Sequence, residues 1–124
     1  LGARAEAHGG DFTVDPLPSG ADLISLVRVL HDHDDGVVRA LLARVRAALP
    51  PGGRVLVAEP MAGTPGAEPV GEAYFGFYLL AMGRGRPRTP AEIGGLLRAA
   101  GFADARPRRT STPLLTGVMT ARAA

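Results

Sequence analysis

The chain has no cysteine, no lysine and few aromatic rings, and each absence removes a class of function. Without cysteine there is no disulfide framework and no thiolate metal site, and a cytoplasmic protein fits. No apolar run approaches the roughly 20 residues that cross a bilayer, and no secretory leader is visible. The chain opens on Leu1 and not on Met, so we expect a piece of a longer protein. All 14 basic residues are arginine, against 12 acidic ones, for a net charge of +2. An all-arginine set reads first as the codon bias of a GC-rich genome. Seven of the arginines fall between Arg84 and Arg109. Nucleic-acid binding wants clustered basic residues with interleaved aromatics. Here Tyr74, Phe75, Phe77 and Tyr78 sit together on an apolar segment outside the arginine-rich stretch. We read the arginines as a solvated face and expect no nucleic-acid partner.

What is present is the material of one α/β domain. At 124 residues the chain builds one core. Residues 21–28 form a short apolar run that suits a buried parallel strand. Asp34–Leu49 turns helical, with Val37, Val38, Leu41, Leu42, Val45 and Leu49 on one face. Asp34 and Asp35 suit its positive end, and Pro50-Pro51-Gly52-Gly53 stops it. Arg54–Glu59 reads as a second buried strand, which completes a right-handed βαβ unit. Residues 60–71 are a Gly/Pro-rich loop. Glu72–Met82 is apolar nearly all round, so we expect a helix that is buried or lines a cavity. Arg84 to Arg88 read as a basic turn. Thr89, Pro90 and Glu92 carry the marks of a helix start with a capping box. Ile93, Leu96, Leu97 and Ala100 give that helix its apolar face, and Gly101 suits its C-terminal turn. Strands are expected near Ala103–Arg109 and Leu115–Arg122, pairing as an antiparallel hairpin, and a short one near Ala5–His8.

A nucleotide-binding sheet of this kind normally starts with a strand and a Gly-rich turn. No such motif occurs here, and Gly83-Arg84-Gly85 follows a helix, so it fails the context test. Either the chain binds no nucleotide-like cofactor, or that part lies upstream of Leu1.

Ligands of a parallel sheet sit outside the C-terminal strand ends. The stretch His31-Asp32-His33-Asp34-Asp35 falls after the first strand, and Glu59 after the second. With the strands adjacent, His31 and Glu59 face one crevice, and an imidazole beside a carboxylate is a competent general base. An ordinary polar loop is the bland alternative. A metal reading competes, since His31, His33 and the three Asp are ligand types. It loses ground because Asp34 and Asp35 are better explained as helix-start residues, and we expect no metal. Gly9-Gly10-Asp11-Phe12 offers a carboxylate and a ring on a Gly-rich turn, able to bond and stack on a purine. On spacing alone it is more simply a surface turn.

The series GGDF (9–12), DPLPSGADLISLVRVLHDHDD (15–35), ALPPGGRVLVAEP (48–60) and GRPRTPAEIGGLLRAAGF (85–102) resembles the bacterial and plant O-methyltransferases that use S-adenosylmethionine. HDHDD and the stretch from Ala58 to Ile93 look like the carotenoid-synthesis branch. The resemblance implies the C-terminal portion of a Rossmann-like class I methyltransferase domain, over residues 1–124. It implies that His31 takes the proton of the acceptor hydroxyl and that Glu59 orients it. Asp11 and Phe12 match the pair that contacts the cofactor adenine. The implied acceptor is a small hydroxylated molecule, apolar, such as an acyclic hydroxycarotenoid. A homodimer is implied for the full-length protein. The cofactor glycine loop, the ribose-binding acid and an N-terminal dimerisation domain would lie upstream. Two positions depart from the pattern. Pro87 replaces a second carboxylate, and Val27 replaces a lysine near the adenine, for which Arg28 is a substitute. The alternative is a non-catalytic binding domain of the same fold that lacks the cofactor site.

Overall fold

The computed structural model describes residues 4–67, 69–111 and 116–124. Four strands form one sheet in the order β1 (Leu23–Val27), β2 (Arg54–Glu59), β4 (Gly117–Ala123), β3 (Phe102–Arg108). The connecting helices are α1 (Asp35–Ala48), α2 (Phe75–Met82) and α3 (Pro90–Ala99). β1 and β2 pair in parallel, Leu23 opposite Arg54 and Val27 opposite Ala58. β4 then pairs antiparallel with both β2 and β3. The expected parallel pair and closing hairpin are therefore present, with the last strand inserted next to β2. Leu115, at the start of the expected last strand, lies outside the described residues.

Period-2 patterning explains the insertion. Met119, Ala121 and Ala123 of β4 are buried, whereas β3 is mostly exposed beyond Phe102. β3 also carries Pro107, which has no N–H for a ladder and is tolerated at a sheet edge. The core joins these residues to Leu26, Val55 and Val57 of the parallel strands. From the helices it takes Val38, Leu41, Leu42 and Val45 of α1 and Ile93, Leu96 and Leu97 of α3.

Helix α3 starts as its sequence dictates. Thr89 accepts from the Glu92 N–H, and Glu92 accepts from the Thr89 N–H, closing a capping box with Pro90 at the first turn. Gly101 follows at φ 88°, in the left-handed region. Asp34 precedes α1 but makes no side-chain cap. Its Oδ1 instead accepts the Gly85 N–H at 2.9 Å.

Three expectations are corrected. β1, expected to be buried, stands at the edge of the sheet among the described residues, and only its Leu26 is buried. Residues 5–8 form no strand; they are exposed throughout, and among the described residues no strand pairs with them. The apolar segment Glu72–Met82 begins as a wide π-helical turn, Pro69–Tyr74, and continues as α2. Only Phe75 and Leu79, one turn apart, are buried on α2. Tyr74, Phe77 and Leu80 are 66%, 74% and 75% exposed. All-round apolarity forecasts cover on every side, and the described part of this chain covers one stripe.

Candidate active site

β1 ends where Arg28 turns into the left-handed region (φ 54°), an uncommon place for a side chain of this size. The Arg28 N–H still donates to the Ala58 carbonyl at 2.9 Å, so the turn begins at the edge of the ladder. A single 3-10 turn, Leu30–Asp32, follows and carries His31. Because β1 and β2 run in parallel and in register, the C-terminal end of β2 delivers Glu59 to the same place. His31 and Glu59 are 3% and 2% exposed.

A buried carboxylate needs several donors to offset its lost hydration. Glu59 finds them in the turn itself. Its Oε1 accepts the N–H groups of Val29 (3.1 Å) and Leu30 (2.6 Å), and its Oε2 accepts that of His31 (2.9 Å). Glu59 thus builds the backbone that presents His31. It also approaches the ring, with Oε2 3.3 Å from Nδ1. On the other side Asp32 Oδ1 lies 3.2 Å from Nε2. Neither His31 Nδ1 nor Asp32 Oδ1 has an aligned hydrogen bond, so these are close approaches and not formed bonds. The His31 and Phe75 rings meet at 80° with centroids 5.9 Å apart, and the Arg28 guanidinium lies over the same Phe75 ring, 5.2 Å from its centroid.

Sequence reasoning placed His31 and Glu59 in one crevice, and the structure brings them together. It missed three residues. Asp32 supplies a carboxylate at Nε2 where Pro87 offers none. Arg88, expected in a solvated basic turn, is 2% exposed. Its Nη1 donates to the Leu30 carbonyl (2.7 Å) and its Nη2 to the His33 carbonyl (2.8 Å). Its Nε and Nη2 also hold Asp35 Oδ1 at 3.0 and 2.7 Å. Arg86 is paired as well, with Glu92 and Asp35. The solvated-face reading is therefore corrected for Arg88 alone; Arg86 is exposed while it pairs with Glu92 and Asp35. Asp34 and Asp35, two of the ligand types in the competing metal reading, are engaged by the Gly85 N–H and by Arg88. The third missed residue is Gly85, at φ 79°, packed against the backbone of residues 31–33.

Asp35, Glu92 and Arg86 have shifted pKa values. The Arg88 hydrogen bond, seconded by Arg86, holds the Asp35 carboxyl below its ordinary value, with burial opposing. The Thr89 N–H and Arg86 do the same for Glu92. Glu92 and Asp35 in turn raise Arg86.

Asp11 and Phe12 line a separate cleft of about 660 Å³, with Leu17, Pro16 and Pro18 as apolar wall. Asp11 Oδ1 accepts the N–H and hydroxyl of Thr13, which lowers its pKa and fixes the turn. Phe12 meets the ring of His33 edge-on at 5.3 Å. Arg28, expected to join these two residues, is not among the lining; it is exposed and lies over the Phe75 ring.

Residues 2–103 match the O-methyltransferase domain family. The chain belongs to that family. It is 51% identical to demethylspheroidene O-methyltransferase of Rhodobacter capsulatus over 112 residues, which are 90% of this chain and 28% of that protein. It is 57% identical to the enzyme of the same name from Cereibacter sphaeroides over 106 residues, 84% of this chain and 27% of that one. Among solved structures it resembles human N-acetylserotonin methyltransferase in complex with SAM. There the TM-score is 0.81 at 36% identity, covering 93% of this chain and 32% of that one. A methyltransferase of calicheamicin biosynthesis with SAH bound gives a TM-score of 0.83 at 30% identity, covering 99% and 35%. The chain thus spans under a third of the length of the curated relatives just named. Among the described residues no helix is long and apolar enough to cross a membrane.

Proposed function

We propose that this chain carries the base and one wall of the cofactor cleft of an S-adenosylmethionine-dependent O-methyltransferase. The observation that carries the reading is the buried Glu59 carboxylate, which gathers three N–H groups of the turn bearing His31. That arrangement spends a desolvated charge on fixing one imidazole, and it stands at the strand ends where ligands of such sheets bind.

The bound cofactor supplies an electrophilic methyl group on a sulfonium. His31 would take up the proton of the acceptor hydroxyl, the cofactor leaving as its thioether once its methyl is given up. Glu59 beside Nδ1 and Asp32 beside Nε2 then stabilise the imidazolium. Much of the acceleration comes from holding acceptor and base in line. Asp11 and Phe12 fit a purine: a carboxylate for its amino group, and a ring with Leu17 and two prolines for its face. Arg28, exposed beside Phe75, is the residue offered for the adenine contact where Val27 stands in place of a lysine. The exposed Tyr74, Phe77 and Leu80 suit an apolar acceptor such as an acyclic hydroxycarotenoid. The identity to two named O-methyltransferases favours the enzyme over a non-catalytic binding domain. The glycine loop, the ribose-binding acid and a dimerisation domain belong to the remainder of a longer, cytoplasmic, homodimeric protein.

The test is His31→Ala in the intact protein. Methyl transfer falls by about 10²-fold or more, while S-adenosylmethionine binding by calorimetry is retained. Turnover near the wild-type rate overturns the assignment of the base.

A further inference from the structure

The turn that bears His31 is held from two sides by opposite buried charges. Glu59 takes its N–H groups, at Val29, Leu30 and His31. Arg88 takes the carbonyls on either side of the histidine, at Leu30 and His33. Both side chains are nearly inaccessible, and each comes from a different part of the chain. The guanidinium is itself aimed by Asp35, the first residue of α1, and its own carbonyl accepts the Ala62 N–H at 3.1 Å. Only a planar fork with several fixed donors reaches two carbonyls and a carboxylate at once; an ammonium on a flexible stem does not. A buried arginine that served α1 alone would need Asp35 and no more. Two of its donors go to the base-bearing turn.

We propose that Arg88 is a positioning residue for His31, setting the orientation of the imidazole through the Leu30 and His33 carbonyls. The proposal rests on the reading of His31 as the base. Without Arg88 the part-buried His33 carbonyl loses its charged donor and the buried Leu30 carbonyl keeps only the His33 N–H, so the turn relaxes to recover a partner. The ring moves with it, and a displacement on the order of an ångström is enough to cost a large factor in rate.

The experiment compares Arg88→Met and Arg88→Lys with wild type in the intact protein. It reads kcat, the KM for S-adenosylmethionine, thermal melting, and the ring resonances of His31 by NMR through a pH titration. Arg88→Met is expected to lower kcat by about tenfold to a hundredfold and to shift the His31 resonances. The KM should move less than about threefold. Arg88→Lys keeps the charge beside Asp35 but not the fork, and should fall between. If Arg88→Met does not fold, the lysine variant decides alone. Wild-type kcat and wild-type His31 resonances in the lysine variant would mean that Arg88 serves only as a counter-charge, and the proposal fails. Shifted resonances with unchanged turnover would instead locate the failure in the assignment of His31 as base. Unmoved resonances in a folded Arg88→Met protein overturn the present proposal, whatever the rate.

Discussion

Gly85 lies so close to the turn bearing His31 that a Cβ there would stand 2.7 Å from the carbonyl carbon of Asp32 and closer still to the His31 oxygen. Its φ of +79° adds a second reason for glycine. The neighbouring atoms are backbone, so they do not swing away. Gly85→Ala is therefore expected to cost about 2–4 kcal/mol through strain and overpacking combined. Chemical denaturation measures the loss. Methyl transfer should fall further than the folded fraction does, because what the alanine methyl displaces is the turn that bears His31. An alanine variant as stable and active as wild type would show that the contact has room to relax.

The neighbouring Gly83, also at positive φ, meets nothing within 4 Å. The sequence shows both glycines and a dismissed motif between them, and does not say which one is against backbone. The same limit governs Arg88. Its partners are 53 to 58 residues away along the chain, and no local pattern marks one arginine of a basic turn as buried. By contrast, β1, β2, α1 and α3 are legible because their causes are local: continuous apolar runs, one apolar helical face, a capping box. His31 and Glu59 were legible because parallel strands in sequence order put their ends side by side. The place of β4 was not, since a hairpin attaches to a sheet by either strand. Pro107 was the available signal that β3 would be the outer one.

Asp35 joins Arg88 to α1, and its carboxyl is depressed chiefly by the Arg88 hydrogen bond. Glu92 is depressed by the Thr89 N–H and Arg86. A carboxyl with a folded pKa below its unfolded one binds fewer protons when folded. Its stabilisation is complete above the ordinary value of about 4 and is lost as pH falls through the folded pKa. Stability should therefore be flat from neutral pH to about 5 and decline below it. Urea midpoints measured at a series of pH values test this. Asp35→Asn should lower the midpoint at neutral pH and flatten the acid decline. An undiminished decline in that variant would mean that other carboxylates carry it.

Asp11 and Phe12 stand apart from His31, in their own cleft, so the two halves of the proposed chemistry can be separated by mutation. Phe12 packs on the core, so leucine is the substitution that keeps an apolar body while removing the aromatic face. Asp11→Ala and Phe12→Leu should each weaken S-adenosylmethionine binding to the intact protein by about tenfold or more, the scale of a charge-assisted hydrogen bond or a ring contact. Calorimetry reads the affinity. At saturating cofactor the maximal rate should stay within about threefold of wild type, since neither side chain touches the imidazole. His31→Ala should do the reverse. Unchanged affinity in both cleft variants would reduce Gly9-Gly10-Asp11-Phe12 to the surface turn its spacing also allows. An affinity loss joined to an equal loss of kcat would place the cleft within reach of the reacting atoms.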